Sequence, residues 1–148
     1  NVTRRVIDGE SDKWIKRSAG SYDRVLVDAP CSGTGTWRRN PDAKWQLTEE
    51  TVQELVVRQQ AILTSAARLV KPGGRLIYAT CSILSEENED QVDRFLASHP
   101  DYKVLPVPGL WGDLVGTACP VTGAYLRLSP YGHGTDGFFA AVLEKVSE

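Results

Sequence analysis

Two cysteines, Cys31 in "VLVDAPCSGTG" and Cys81 in "IYATCS", each follow an apolar run that gives way to polar residues and turn-formers. Free cysteine is most often a small buried hydrophobe, yet both of these stand just past a strand-like segment. Cys119, before Pro120 in a Gly/Pro-rich stretch, reads as structural. Two thiols facing one cleft serve redox chemistry, metal binding, or a nucleophile with a helper. Redox thiols usually come as a close pair, and a metal needs more ligands than His99 and His133 offer, so no metal site is expected. Covalent catalysis by a thiolate is the reading that remains.

The elements that must position these thiols follow from periodicity. Val25-Leu26-Val27 predicts a strand over Arg24 to Asp28, buried on both faces. Val2 to Asp8 reads as a shorter strand ending in an acid, with Ser11 capping a helix through Arg17. From Thr48 to Lys71, residues such as Val52, Val56, Ile62, Leu63 and Leu69 recur at helical steps, until Pro72-Gly73-Gly74 ends the pattern. Leu76 to Ala79 is the next strand, with Thr80-Cys81-Ser82 at its carboxyl end. Ser85 caps a helix that stops at His99-Pro100, and Tyr102 to Val107 and Phe138 to Glu144 are the last strands. Between them, Pro108 to Gly137 reads as a Gly/Pro-rich segment. Alternating strands and helices predict an α/β domain with a largely parallel sheet and ligands off the carboxyl ends of its strands. Asp8, Asp28 with Cys31, and Cys81 mark three such ends.

Composition narrows the class. The 148 residues suit one domain, and a formal charge of −2 supplies no global pull toward nucleic acid. Basic residues cluster locally, in Arg38-Arg39 with Lys44 above all. No apolar run approaches the roughly 18 residues of a membrane span. Three widely spaced cysteines fit a reducing cytoplasm. The chain starts at Asn1 and contains no methionine, which reads as a piece of a longer protein.

Four blocks in fixed order, "VLVDAPCSGTG", "RRNPDAKW", "KPGGRLIYATCS" and "RLSPYGHGTDGFFAAVL", resemble the Sun/Fmu-like RNA cytosine-5 methyltransferases over nearly the whole chain. The resemblance implies residues 1–148 are the C-terminal part of one methyltransferase catalytic domain, with a partial Rossmann-like S-adenosylmethionine-dependent fold. It also implies methyl transfer to carbon 5 of cytosine in RNA, ribosomal RNA above all. Carbon 5 is a poor nucleophile until a thiolate adds to carbon 6. The residues do not decide which thiol attacks, since DNA cytosine methyltransferases use the proline-cysteine thiol. By resemblance, Cys81 attacks and Cys31 assists proton removal and product release.

Asp28 resembles the acid near the methyl end of the cofactor and the target base, and Asp8 the acid that meets the adenine amino group. Pro30 shapes the loop, while Arg38, Arg39 and Lys44 suit RNA phosphates, with Trp37 or Trp45 available for stacking. His133 reads as a loop histidine that orders the closing block.

The family's glycine-rich cofactor loop does not occur here, so the chain alone is expected to be inactive. If Val2 to Asp8 is the family's third strand, its sheet neighbours are missing. The fourth, fifth, seventh and sixth strands should then stay together, with the first segment displaced and an exposed edge that favours association with another copy or with the missing part. One rival is a non-catalytic RNA-binding or ribosome-assembly module that keeps the fold. Another is amino-group methylation of adenine, whose loop carries an aromatic residue where Cys31 stands.

Overall fold

A strand at Tyr22–Asp28 (β1) forms the open edge of the sheet, and its Leu26 is 67% exposed. The structure, a computed structural model, describes residues 2–7, 9 and 12–147, without the side chains at 113 and 114. Before β1 lies a short helix, Lys13–Arg17 (α1), capped by Asp12. The predicted cap Ser11 and the candidate acid Asp8 lie outside the described residues. The strand expected over Val2 to Asp8 does not form among them: residues 2–7 are exposed and take no regular structure. An extended segment with no strand beside it has no ladder to join.

After Ala43–Gln46 (α2), the long helix Glu49–Ala67 (α3) starts at Thr48, whose hydroxyl accepts from the Thr51 amide at 3.2 Å. It ends four residues before the predicted Lys71. The Leu69 carbonyl accepts from the amides of Ser21 and Tyr22, which draws the backbone into the strand Val70–Thr80 (β2). Pro72-Gly73-Gly74 therefore falls within β2, where the register with β1 shifts and Gly73 adopts φ +72°. Ser85 opens a 3₁₀ turn, Ser85–Glu87, and does not cap the helix Glu89–Ser98 (α4) that follows.

The strand Tyr102–Val104 (β3) stops before Pro106, short of the predicted Val107. The segment read as loop contains helix Val107–Val115 (α5), strand Leu126–Leu128 (β4) and helix Pro130–His133 (α6), before the last strand, Phe138–Lys145 (β5). The sheet order is β1-β2-β5-β3, with β4 also on β5. This is the strand neighbourhood expected for the fourth, fifth, seventh and sixth strands. Only β1 and β2 pair in parallel, because β5 runs against β2, β3 and β4. The expectation of a largely parallel ladder is corrected accordingly.

Leu63 of α3, Leu76 and Tyr78 of β2, Phe95 of α4, and Phe139 and Leu143 of β5 are fully buried and join the sheet to its helices. Burial of such side chains supplies about 1.5–3 kcal/mol each relative to exposure. The Tyr78 hydroxyl ends this apolar layer by donating to the Glu87 carbonyl at 2.7 Å. That bond fixes the turn after Cys81 to the core.

Candidate active site

Parallel pairing sets Asp28 of β1 opposite Ala79 of β2, so both chains leave the sheet side by side. Cys31 and Cys81 follow within three residues, and their sulfurs lie 3.3 Å apart although 50 residues separate them in sequence. Both are free thiols and only partly buried. A pair of partly buried sulfurs in van der Waals contact can address a single planar ring.

Two loops and the closing block are laced together around this pair. The Gly35 amide donates to the Cys81 carbonyl at 2.9 Å, and the Gly137 amide donates to the Gly35 carbonyl at 2.8 Å. Thr34 hydroxyl meets Ser82 hydroxyl at 3.1 Å and accepts from the Ile83 amide at 3.0 Å. Ser82 hydroxyl accepts in turn from the Leu84 amide.

Burial pushes the Cys31 thiol up from its ordinary 9.0 to about 12, with the neighbouring Cys81 adding to the rise and the Gly33 and Cys81 amides opposing it. Cys31 therefore keeps its proton at neutral pH. A thiol raised on folding favours the fold fully below its unfolded value, and this contribution is lost as pH rises from about 9 toward about 12. Thermal melts should lose more stability over that window in the wild type than in Cys31→Ala. The buried phenols of Tyr78 and Tyr102, also pushed upward, lower both proteins alike. Equal losses in the two proteins would contradict the assignment.

The other predicted residues fall as follows. Asp28 is exposed at the end of β1 and lines a cavity of about 540 Å³ between β1 and α3, with Val25, Val27, Arg58 and Ile62. Pro30 gives its carbonyl to Gln59 Nε2 at 2.9 Å. Arg38 and Arg39 both pair with Asp136 of the closing block, while their side chains stay 67% and 68% exposed. Lys44 stands 5.4 Å from the ring centre of Trp45, which is 81% exposed, and 6.0 Å from that of Trp37. His133 accepts from the Ser129 amide through Nδ1 and meets the Pro120 carbonyl through Nε2, as a residue that orders its own loop.

Sequence reasoning missed a layer of buried polar residues beneath the thiols: Gln59, Glu87 and Asn88, all fully buried. Gln59 falls on the helical stripe Val52, Val56, Gln59, Leu63, and an amide in an apolar stripe is a legible signal. Glu87 precedes Gln91 and Phe95 at four-residue steps, which marks it as the inward member of the Glu86-Glu87 pair.

Among the described residues no helix is long and apolar enough to cross a membrane. The family described as 16S rRNA methyltransferase RsmB/F matches residues 2–144. The probable ribosomal RNA small subunit methyltransferase B of Synechocystis sp. is 46% identical over 131 residues, which is 88% of this chain and 29% of that protein. Ribosomal RNA small subunit methyltransferase B of Pasteurella multocida is 42% identical over 137 residues, 90% of this chain and 29% of its own length. The chain thus spans less than a third of these curated relatives. Among solved structures, PH0851 superposes with TM-score 0.74 at 44% identity, covering 86% of this chain and 27% of that one. NSun6 from Pyrococcus horikoshii, solved with SFG, gives TM-score 0.63 at 29% identity, covering 83% and 30%.

Proposed function

The chain belongs to the RsmB/F family of 16S rRNA methyltransferases and carries part of its Rossmann-like, S-adenosylmethionine-dependent fold; from that premise we propose that it forms the carboxyl-terminal part of an RNA cytosine-5 methyltransferase. The observation that carries this reading is the 3.3 Å contact between Cys31 and Cys81 at the open end of two parallel strands. A single pyrimidine above such a pair presents carbon 6 and carbon 5 to the two sulfurs.

In this reading Cys81 adds to carbon 6, and the ring becomes an enamine nucleophilic at carbon 5. S-adenosylmethionine supplies an electrophilic methyl group on a sulfonium. Methylated carbon 5 then loses its proton and Cys81 is expelled. A thiol held up to about 12 is a poor attacker at neutral pH, which leaves the attack to Cys81 and the later release step to Cys31. Asp28 faces the adjoining cavity with a carboxylate that serves the sulfonium end of the donor or the cytosine amino group. The rest of that cavity wall is mainly apolar, so the described residues fit one edge of a donor site and not its ribose and adenine. Activity is therefore expected of the full-length protein, and the remainder of the donor site belongs to segments outside this chain.

Lys44 with Trp37 and Trp45, beside the exposed guanidiniums of Arg38 and Arg39, supports an RNA strand entering across the Cys31 loop. The base must leave its stack to reach the sulfurs. Lys44→Ala should lower the salt dependence of RNA affinity by about one phosphate contact across sequences, measured by anisotropy in a salt series. An unchanged slope would remove Lys44 from the interface. Three free thiols favour a cytoplasmic setting, in keeping with a ribosomal RNA substrate.

The test is methyl transfer from labelled S-adenosylmethionine to ribosomal RNA by the full-length protein, followed by nucleoside digestion. Label in 5-methylcytosine supports the reading. Label in an N-methylated adenine, or none above background, rejects it.

A further inference from the structure

The residues on either side of each thiol are held by buried polar side chains, among them two consecutive ones, Glu87 and Asn88. Gln59 Nε2 donates to the Pro30 carbonyl on one side of Cys31. The Ser32 amide on the other side donates to Glu87 Oε1 at 2.8 Å, and the Ser32 hydroxyl donates to Glu87 Oε2. Gln59 and Glu87 are themselves joined at 2.9 Å. The neighbouring residue treats Cys81 in the same way. Asn88 Nδ2 donates to the Ser82 carbonyl at 3.0 Å, and Asn88 Oδ1 accepts from the Thr80 hydroxyl at 2.6 Å.

A buried carboxylate is costly unless its oxygens are satisfied. Glu87 is fully buried, and its three donors are all uncharged groups of the Cys31 loop and α3. Nothing in packing alone requires an acid here. A leucine or methionine would fill the volume, but would leave the Ser32 amide and hydroxyl without this acceptor.

We propose that Glu87 and Asn88 are positioning residues that together set the separation of the two sulfurs, Glu87 with Gln59 acting on Cys31 and Asn88 acting on Cys81. The inference deepens the proposed reading and rests on it for which step each residue governs. Because Glu87 and Asn88 are adjacent and the Tyr78 hydroxyl donates to the Glu87 carbonyl, the bracket is anchored to the core strand β2. Each loop is then referred to one rigid origin. A displacement of about 1 Å at a reacting group costs on the order of a hundredfold in rate.

Single-atom exchanges test this in the full-length protein. Glu87→Gln leaves one oxygen for three donors, setting an amide nitrogen against either the Ser32 hydroxyl or the Ser32 amide and Gln59 Nε2, and Asn88→Asp sets an oxygen against the Ser82 carbonyl. Glu87→Gln should accumulate covalent protein–RNA adduct on unmodified RNA, as Cys31→Ala does, with turnover down roughly tenfold or more and KM for RNA within about twofold. Asn88→Asp should instead slow adduct formation on RNA carrying 5-fluorocytosine, the step that Cys81→Ala abolishes. In a Cys31→Ala background, Glu87→Gln should add no further release defect. Should Glu87→Gln fail to fold, Ser32→Ala removes one of its bonds and must show the same release defect more weakly. Wild-type turnover with only a lowered Tm, or additive effects of Glu87→Gln and Cys31→Ala, overturns the proposal. An exchange of steps, with Glu87 still tracking Cys31 and Asn88 still tracking Cys81, would keep the bracket and overturn only the assignment of roles.

Discussion

Replacing Cys81 with alanine is expected to lower methyl transfer by roughly a thousandfold or more while the fold survives. In the proposed mechanism nothing then adds to carbon 6, and carbon 5 stays too weak a nucleophile to take a methyl group. The structural cost is small. Cys81 is only partly buried, and the bond its carbonyl accepts from the Gly35 amide uses backbone that alanine also has. A comparable loss of Tm and activity together would mean that Cys81 acts by packing. Cys31→Ala should also turn over poorly, but for the opposite reason, with RNA left attached to the protein.

Gly35→Ala is the second large effect, and a methyl group is its whole cause. A Cβ at position 35 would press on the Gly137 carbonyl and stand 2.7 Å from the Cys81 carbonyl, both of them backbone. Neither atom can retreat without parting the Cys31 loop from Cys81 or from the closing block. Overpacking of this kind costs about 1–3 kcal/mol, and the spread of the sulfurs should reduce turnover on the order of a hundredfold. Gly33→Ala offers a contrast: its added Cβ meets only Thr36 Oγ1 at 3.6 Å, although its φ of +67° carries a strain of its own. Differential scanning calorimetry and turnover of the two variants separate the effects. Wild-type turnover in Gly35→Ala would show that the close approach of the three segments does not set the site.

Val25-Leu26-Val27 announced a strand, although the burial expected on both faces fails at Leu26, 67% exposed on the sheet edge; Leu76 to Ala79 announced a buried one, and a cysteine just past each end placed the sulfurs at the same end of a parallel pair. The apolar stripe from Val52 to Leu63 announced α3. These signals survive because they belong to period and polarity, which local sequence carries. The segment from Pro108 to Gly137 misled for the same reason. Its glycines and prolines punctuate like a loop, yet tertiary contact draws Val107–Val115 into a helix and Leu126–Leu128 onto β5. Val2 to Asp8 misled in the other direction: residues 2–7 take no regular structure, since an extended segment makes a strand only beside another strand. Glu87 was the hardest to see. In "SEENED" five of six residues are acids or amides of the kind that cover a helix start, and only the positions of Gln91 and Phe95 on the same face show that one of them turns inward.

The most direct measurement exposes the full-length wild type, Cys31→Ala and Cys81→Ala to S-adenosylmethionine and RNA carrying 5-fluorocytosine, whose fluorine blocks loss from carbon 5. Denaturing electrophoresis then counts protein that stays attached to RNA. Adduct in the wild type and in Cys31→Ala, with none in Cys81→Ala, is the predicted outcome. Adduct that persists without Cys81 and disappears without Cys31 would contradict it.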